Sequence, residues 1–256
     1  IDFKTRVVSL SNIKSKITKK TKAVMVVHLY GYAANANEIR EFCKNKNILM
    51  IEDVAQAIGT KIQNKMVGTF GDFSIFSFHS HKNMTTLGEG GMLVINNSKY
   101  KNNLIQMIRH NGHTPFKYEK KDYWIPAMGN VDAPYLDNRL IMPNNFSITE
   151  IQCAVGSELL KRINDINYTK RKRAIFFIDS LKKIQELEFL RINNKRHNYH
   201  LLVCNVKKNK FFNRDDFIRK MSKEYKIQCI VQYYPLHKYD LYKKIMKKTY
   251  TLEETE

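Results

Sequence analysis

Asp53 stands at the end of a short apolar run, Ile48-Leu49-Met50-Ile51, in the segment Ile51-Glu52-Asp53-Val54-Ala55-Gln56-Ala57. In an open α/β sheet, ligands bind in the crevice beyond the carboxyl ends of the strands, so a carboxylate at that place can hold a ligand. Taken alone it reads first as a helix N-cap. A second segment changes the balance. Phe76-Ser77-Phe78-His79-Ser80-His81-Lys82-Asn83-Met84-Thr85-Thr86-Leu87-Gly88-Glu89-Gly90-Gly91-Met92 runs from an apolar strand into a hydroxyl, two imidazoles, an amine and two threonines, then through a Gly-rich turn into another apolar strand. A lone lysine in a basic chain carries no information, and a Gly-rich turn carries little. Joined to Asp53, the loop points to an anionic, aldehyde-bearing cofactor, and pyridoxal 5'-phosphate is the physical fit. A Schiff base needs a lysine held out of bulk water so that its amine can be neutral, against a reference pKa of about 10.4. The pyridine nitrogen stays protonated when a carboxylate faces it. The phosphate needs hydroxyls and backbone N–H groups. Lys82, Asp53 and Ser77 supply those three demands in that order.

These groups must be positioned by a sheet. From 21 to 96, apolar runs alternate with polar, Gly-marked connections: a β-rich run from Ala23 to Leu29 ends at Gly31, residues 35–44 have helical spacing (Ile39, Phe42, Cys43), and apolar runs follow at 48–51, 73–78 and 91–95. Short apolar runs separated by a helical stretch predict buried parallel strands with crossover helices. From Ile148 to Ile184 the period becomes helical, with Ile148, Ile151, Val155, Leu159, Leu160 and Ile163 at three- and four-residue steps. The last unit reads as a strand at His200–Cys204, a helix from the N-cap Asn213 to Tyr225, and a strand at Ile227–Tyr233. The expected fold class is therefore α/β: a large domain with a mostly parallel sheet over 1–165, and a smaller C-terminal α/β domain with its linking helix over 166–256. No internal repeat or low-complexity linker is visible.

The chain has 256 residues, and 44 Lys+Arg against 24 Asp+Glu give a formal net charge of +20. With 43% hydrophobic and 27% charged residues, the composition is globular and too apolar for a disordered polycation. The charge raises a nucleic-acid-binding reading, but the basic residues are scattered and no helix-turn-helix or zinc-finger spacing occurs, so no nucleic acid is expected as a partner. No apolar run approaches the roughly 20 residues that span a bilayer, and the opening Ile1-Asp2-Phe3-Lys4 lacks a signal-peptide pattern, so the protein reads as cytoplasmic, with no membrane partner. Cys43, Cys153, Cys204 and Cys229 are too far apart for a zinc site and too few for a disulfide framework, and are expected to be small buried hydrophobes. No metal is expected.

Val27-His28-Leu29-Tyr30-Gly31, the Asp53 segment extended to Ile58-Gly59, Phe76 to Asn83 and Gly88 to Met92 together resemble the DegT/DnrJ/EryC1/StrS family of sugar aminotransferases, as does the 29-residue step from Asp53 to Lys82. Further matching stretches are Arg109-His110-Asn111-Gly112, Asn145 to Gly156, and Tyr233-Tyr234-Pro235-Leu236-His237, so the resemblance covers nearly the whole chain. It implies an aspartate-aminotransferase-like fold type I, and a transfer of an amino group from L-glutamate, the amino-acid donor, to a keto carbon of a nucleotide-linked deoxysugar. It also implies that Lys82 forms the Schiff base and then shuttles a proton, that Asp53 pairs with the pyridinium nitrogen, that Gln56 sits by the phenolic oxygen and that Ser77 binds the phosphate. Asn145 is implied to reach the phosphate in the neighbouring subunit, making the enzyme a homodimer with shared active sites. Lys82 argues against the dehydratase branch, which has histidine there. Ser147 replaces an arginine frequent in the family. The family's opening portion, with a Gly-Thr phosphate loop and the aromatic residue stacking on the ring, precedes the position matched by Ile1, and the C-terminus is also short. The chain is therefore expected to be truncated or processed, with an inactive relic as the alternative function. The positive charge would help draw in a substrate carrying a diphosphate.

Weaker candidates remain. His79 and His81 flank Lys82, His28 ends a strand, and His237 lies near the far end of the resemblance. Residues 109–128, with Trp124, Phe116, Tyr118 and Tyr123, read either as a loop bordering the substrate entrance or as a solvated loop. Lys170-Arg171-Lys172-Arg173 reads as a solvated helix face.

Overall fold

The computed structural model describes residues 1–100, 103–114, 129–136, 138–190, 192–208 and 213–246. Four strands form the central sheet: β1 (Ala23–Val27), β2 (Leu49–Asp53), β3 (Phe73–Ser77) and β4 (Gly91–Ile95), in the order β1-β2-β3-β4. The first three are parallel, with Val27 beside Asp53 and Asp53 beside Ile75. The last is antiparallel to β3, because loop 78–90 contains no crossover helix that could carry the chain back to the starting edge. Helix α1 (Ala36–Asn45) links β1 to β2 and buries Ala36, Ile39 and Cys43, a stripe at helical spacing, against the sheet. That covered face carries Val26, Met50, Glu52 and Ser74, all at 0% exposure. The opposite face is open: Met25 is 53% and Leu93 46% exposed, and Asp53 and Ser77 lie on this same face by the two-residue alternation.

Glu52 is a carboxylate in the core and is fully saturated there. Its Oε1 accepts the N–H of Gly68 at 2.8 Å and faces His28 Nε2 at 3.1 Å; its Oε2 accepts the N–H of Phe70 at 2.7 Å and of Gly71 at 2.6 Å. Because His28 Nδ1 already accepts the Ala34 N–H at 3.1 Å, the ring proton sits on Nε2 and is donated to Glu52. Burial alone would raise the Glu52 carboxyl, but the bonds from His28, Gly68 and Gly71 hold it below its usual value. At the other end of the sheet, Asp72 receives both guanidinium nitrogens of Arg40, at 2.6 and 3.0 Å, and the Met50 N–H at 2.8 Å, fixing α1 to the start of β3.

Beyond the sheet, α2 (Glu150–Lys161) begins at Thr149 with a capping box closed by Gln152, and α3 (Ile163–Leu181) follows after a break at Arg162. A small antiparallel pair, β5 (Leu187–Phe189) with β6 (Cys204–Val206), is followed by α4 (Arg214–Lys223) and a last helix, α5 (Asp240–Met246). Asn213 caps α4, its Oδ1 accepting from the N–H groups of Asp215 and Asp216. Three expectations fail here. The stretch His200–Cys204 is not a strand up to Cys204, because its backbone and that of the residues just before it are tied to the loop after β1: the N–H of Ala33 donates to Arg196, that of Asn198 to Gly31 and that of Leu201 to Tyr30. The apolar stretch 227–233 makes no ladder among the described residues, and Ile230 and Val231 are exposed. Of the cysteines only Cys43 is buried; Cys153 and Cys204 are exposed and Cys229 is half-buried.

The carboxyl ends of β1, β2 and β3 are joined by a buried polar network. Gly31 has φ +99°, and a Cβ there would lie 1.9 Å from Asn198 Oδ1, so only glycine admits Asn198. Asn198 Nδ2 donates to the carbonyls of Gln56 (3.0 Å) and Ile58 (3.1 Å), and its Oδ1 accepts the His200 N–H at 2.9 Å. From α3, Asn167 donates to Ile58 O at 2.9 Å, and Arg171 donates to His197 O at 3.1 Å. Lys170 and Arg171 are half-buried, so half of the basic run packs inward instead of forming a solvated face. His197 stacks on Tyr199, with ring centroids 4.1 Å apart. Burial pushes His197 down to about 3, reinforced by the charge of Arg171, and pushes His200 down to about 4, reinforced by Lys82, Lys170 and His81.

Two outcomes follow from these buried groups. Glu52→Gln leaves four donors facing one oxygen and an amide NH2, and is expected to cost about 2–4 kcal/mol, seen as a lowered thermal midpoint; an unchanged midpoint contradicts the saturated-carboxylate description. The unfolded chain protonates histidine below about pH 6.5, whereas folded His197 and His200 stay neutral down to about 3 and 4, so their contribution is present above 6.5 and lost as pH falls. Each is expected to cost about 2 kcal/mol between pH 7 and pH 5, read as a falling urea midpoint; a level midpoint over that range contradicts it.

Candidate active site

Asp53 and Ser77 are the last residues of neighbouring parallel strands. Since Asp53 lies beside Ile75, Ser77 is two residues further along the same face, placing the two Cα atoms roughly 8 Å apart. Asp53 caps no helix. Its Oδ1 accepts the Ala55 N–H at 3.0 Å, opening the turns of 54–59, and the half-buried carboxylate otherwise faces the open side of the sheet.

Directly after Ser77 the chain enters the lysine loop. Phe78 N–H donates to Gly90 O at 2.8 Å, Ser80 N–H to Gly88 O at 2.7 Å and Thr86 N–H to Phe78 O at 3.0 Å, so the loop folds back on itself, and Lys82 N–H closes a turn onto His79 O at 2.9 Å. The loop is held from behind by both long helices. Gln152 of the α2 capping box donates to the carbonyls of Thr86 (3.1 Å) and Glu89 (2.9 Å). Met84 packs with Ile58, Phe78 and Ile163, and Asn83 donates to Asn167 Oδ1 at 2.9 Å. Asn83, Met84 and Thr86 are buried, while Lys82 between them and the exposed His81 is half-buried.

Gln56 is held by two tyrosines. Its Oε1 accepts the Tyr30 N–H at 2.5 Å and its Nε2 donates to the Tyr233 hydroxyl at 2.6 Å, while the Tyr30 hydroxyl donates to Gln232 O at 2.8 Å. Burial pushes the Tyr233 phenol up, the Gln56 bond pulls it back, and the charge of Asp53 pushes it up again. Asp53, Gln56 and Tyr233 therefore share one corner of the site.

The remaining candidates fall elsewhere. Asn145 is exposed and accepts the Ser147 N–H at 2.9 Å, beside a bridge to His110. Ser147 pairs through its hydroxyl with His110 Nδ1 at 2.9 Å. His79 faces Glu89 at 3.5 Å and accepts the His81 N–H, serving the loop itself, and His28 is the structural partner of Glu52. His237 lies in a helical turn, Leu236–Lys238. Trp124, Phe116, Tyr118 and Tyr123 lie outside the described residues. Among the described residues there is no cluster of His, Cys, Asp or Glu that could hold a metal, and no helix long and apolar enough to cross a membrane. Sequence reasoning missed Tyr30 and Asn83 as members of the site. Each stands inside a matching stretch, but only the long-range pairing reveals its part.

The arrangement brings a carboxylate and a hydroxyl to adjacent strand ends on one face of the sheet, with an amine five residues further along the loop. Thr85 Oγ1, three residues beyond Lys82, is buried without a hydrogen-bond partner among the described residues and so has unused bonding capacity. That donor set matches a group carrying a basic ring nitrogen, a phosphate and an aldehyde.

Known proteins share this architecture. GDP-perosamine synthase of Vibrio cholerae is 31% identical over 242 residues, covering 94% of this chain and 60% of that protein. The solved structure of Helicobacter pylori PseC, an aminotransferase involved in the biosynthesis of pseudoaminic acid, superposes with a TM-score of 0.82 at 25% identity, over 99% of this chain and 63% of that one. NtdA of Bacillus subtilis, solved with its cofactor PMP bound, shares the fold at a TM-score of 0.70 and 23% identity, over 100% of this chain and 54% of its own. The chain thus spans about three-fifths of the length of the Vibrio protein. The model of the DegT/DnrJ/EryC1/StrS aminotransferase family matches residues 1–256, and the chain belongs to that family.

Proposed function

We propose that this chain carries the cofactor site of a pyridoxal-phosphate-dependent aminotransferase that moves an amino group from L-glutamate to a keto carbon of a nucleotide-linked deoxysugar. The observation that carries this reading is the placement of Asp53 and Ser77 at adjacent strand ends on one open face, with the lysine loop starting at the next residue. The bound cofactor supplies an electron sink that stabilises negative charge on the substrate carbon. Asp53, with its carboxylate toward the crevice, would hold the ring nitrogen protonated. Ser77 and the N–H groups of its loop would take the phosphate, and Gln56, oriented by Tyr30, would offer its Nε2–H to the phenolic oxygen. Lys82 would hold the cofactor covalently and, once released by the incoming amine, carry the proton from one carbon to the next through Nζ.

Several features support the substrate class. The net charge of +20 favours an approaching diphosphate, and two of the relatives are a GDP-perosamine synthase and an aminotransferase involved in the biosynthesis of pseudoaminic acid. Lysine at position 82, in place of the histidine of the dehydratase branch, favours amino transfer over dehydration. Asn145, exposed on its own subunit, is free to reach a second copy, and the reading includes a homodimer in which each copy's Asn145 completes its partner's phosphate site.

Incubating the full chain with pyridoxal phosphate, reducing with borohydride and mapping the product by mass spectrometry is expected to place the label on Lys82; a label on another lysine contradicts the assignment. Lys82→Ala is expected to abolish transamination with little effect on the thermal midpoint, since the side chain is half-buried and sits in no core cluster. Retained turnover contradicts the role.

A further inference from the structure

We propose that His200 is a positioning residue for Lys82: through Asn83 it clamps the lysine loop to α3 and to the segment that enters the C-terminal part, so that the lysine and that segment move as one body. The inference rests on the reading of Lys82 given above. Asn83 follows Lys82 directly and is 9% exposed. Its amide has one allowed orientation. Nδ2 donates to Asn167 Oδ1 at 2.9 Å and toward Asn198 O at 3.5 Å, so Oδ1 is the acceptor that faces His200 Nδ1 at 3.3 Å. His200 must then carry its proton on Nδ1. Its own N–H is fixed to Asn198 Oδ1, and Asn198 in turn fills the space over Gly31 and holds the carbonyls of Gln56 and Ile58. Lys82 is therefore caught between the turn bond to His79 on one side and an immobilised Asn83 on the other, which leaves only its own side-chain torsions to aim the amine.

The titratable groups that face His200 are Lys82 and His81 on the loop, Lys170 on α3 and the buried His197. A protonated imidazole would add a cation beside two lysines. Burial keeps the ring neutral, and the charges of Lys82 and Lys170 act in the same direction. An apolar ring of similar size would fill the same volume but leave Asn83 Oδ1 buried without a donor, so Asn83 would turn away and release the lysine loop.

The test uses the full chain without cofactor and a trace of acetic anhydride, with labelling of Lys82 measured by mass spectrometry relative to the exposed Lys161 and Lys172. His200→Phe is expected to speed Lys82 labelling at least about threefold, by the local opening of a segment that has lost its anchor. His200→Asn, whose amide can stand in for Nδ1–H, should restore the wild-type ratio, and Ile39→Val, a remote core change, should leave it unaltered. Should His200→Phe not fold, Asn83→Ala is expected to give the same acceleration. An unaltered ratio in a folded His200→Phe or Asn83→Ala protein, or an equal acceleration in Ile39→Val, overturns the clamp. Borohydride fixation of pyridoxal phosphate on the wild-type chain separates the two readings. Fixation at Lys82 with unaltered labelling overturns the clamp alone, whereas fixation at another lysine overturns the site assignment and the positioning role with it.

Discussion

Two adjacent carboxylates, Glu52 and Asp53, end one strand, and the pleat forces them to opposite faces. Everything else in the sheet follows from that alternation. Glu52 points into the core, where an unpaired charge would be prohibitively costly, and it is retained only because His28 and three backbone N–H groups saturate it. Those same bonds shape the loop at 68–71 and seat β3 beside β2. Asp53 points the other way and, among the described residues, accepts only one local N–H, which leaves a carboxylate able to meet a ligand. The buried carboxylate and the one proposed to meet the cofactor are neighbours, and the first orients the second.

The loops at the carboxyl ends of the strands are usually the adaptable part of an α/β protein. Here they are tied by amides. Asn198, Asn167 and Asn83 each bond to a loop or element distant in sequence, and His200 joins the first to the third. Amides suit this role because each can donate and accept without charge, so a network of them can be buried with every member satisfied. The rigid frame holds Lys82 without burying it.

Much of this was readable in the residue order. The strand ends at Asp53 and Ser77, the lysine between two glycine-marked segments and the α/β alternation all rest on local pattern, as does the helical period from Ile148 that marks the start of α2. What local pattern could not reveal is where a backbone finds its partners. His200-Leu201-Leu202-Val203-Cys204 has the composition of a strand, yet its N–H groups and those just before it are claimed by the loop after β1, some 170 residues away, and only Cys204 enters a ladder. Likewise Lys170 and Arg171 read as solvated until the buried His197 carbonyl is placed beside them. Sequence spacing predicts which face a residue shares, but not what the other side of that face meets.

The lysine loop lies between β3 and β4, whose antiparallel register pairs Ser77 with Gly91 at its mouth. Surface loops commonly accept insertions and deletions, but a one-residue slip here would send Ser77 to the core face and rotate every contact made by Asn83, Met84 and Thr86. The loop's length is thus tied to these contacts, whereas the side chains of His81 and Leu87 stand exposed outside them.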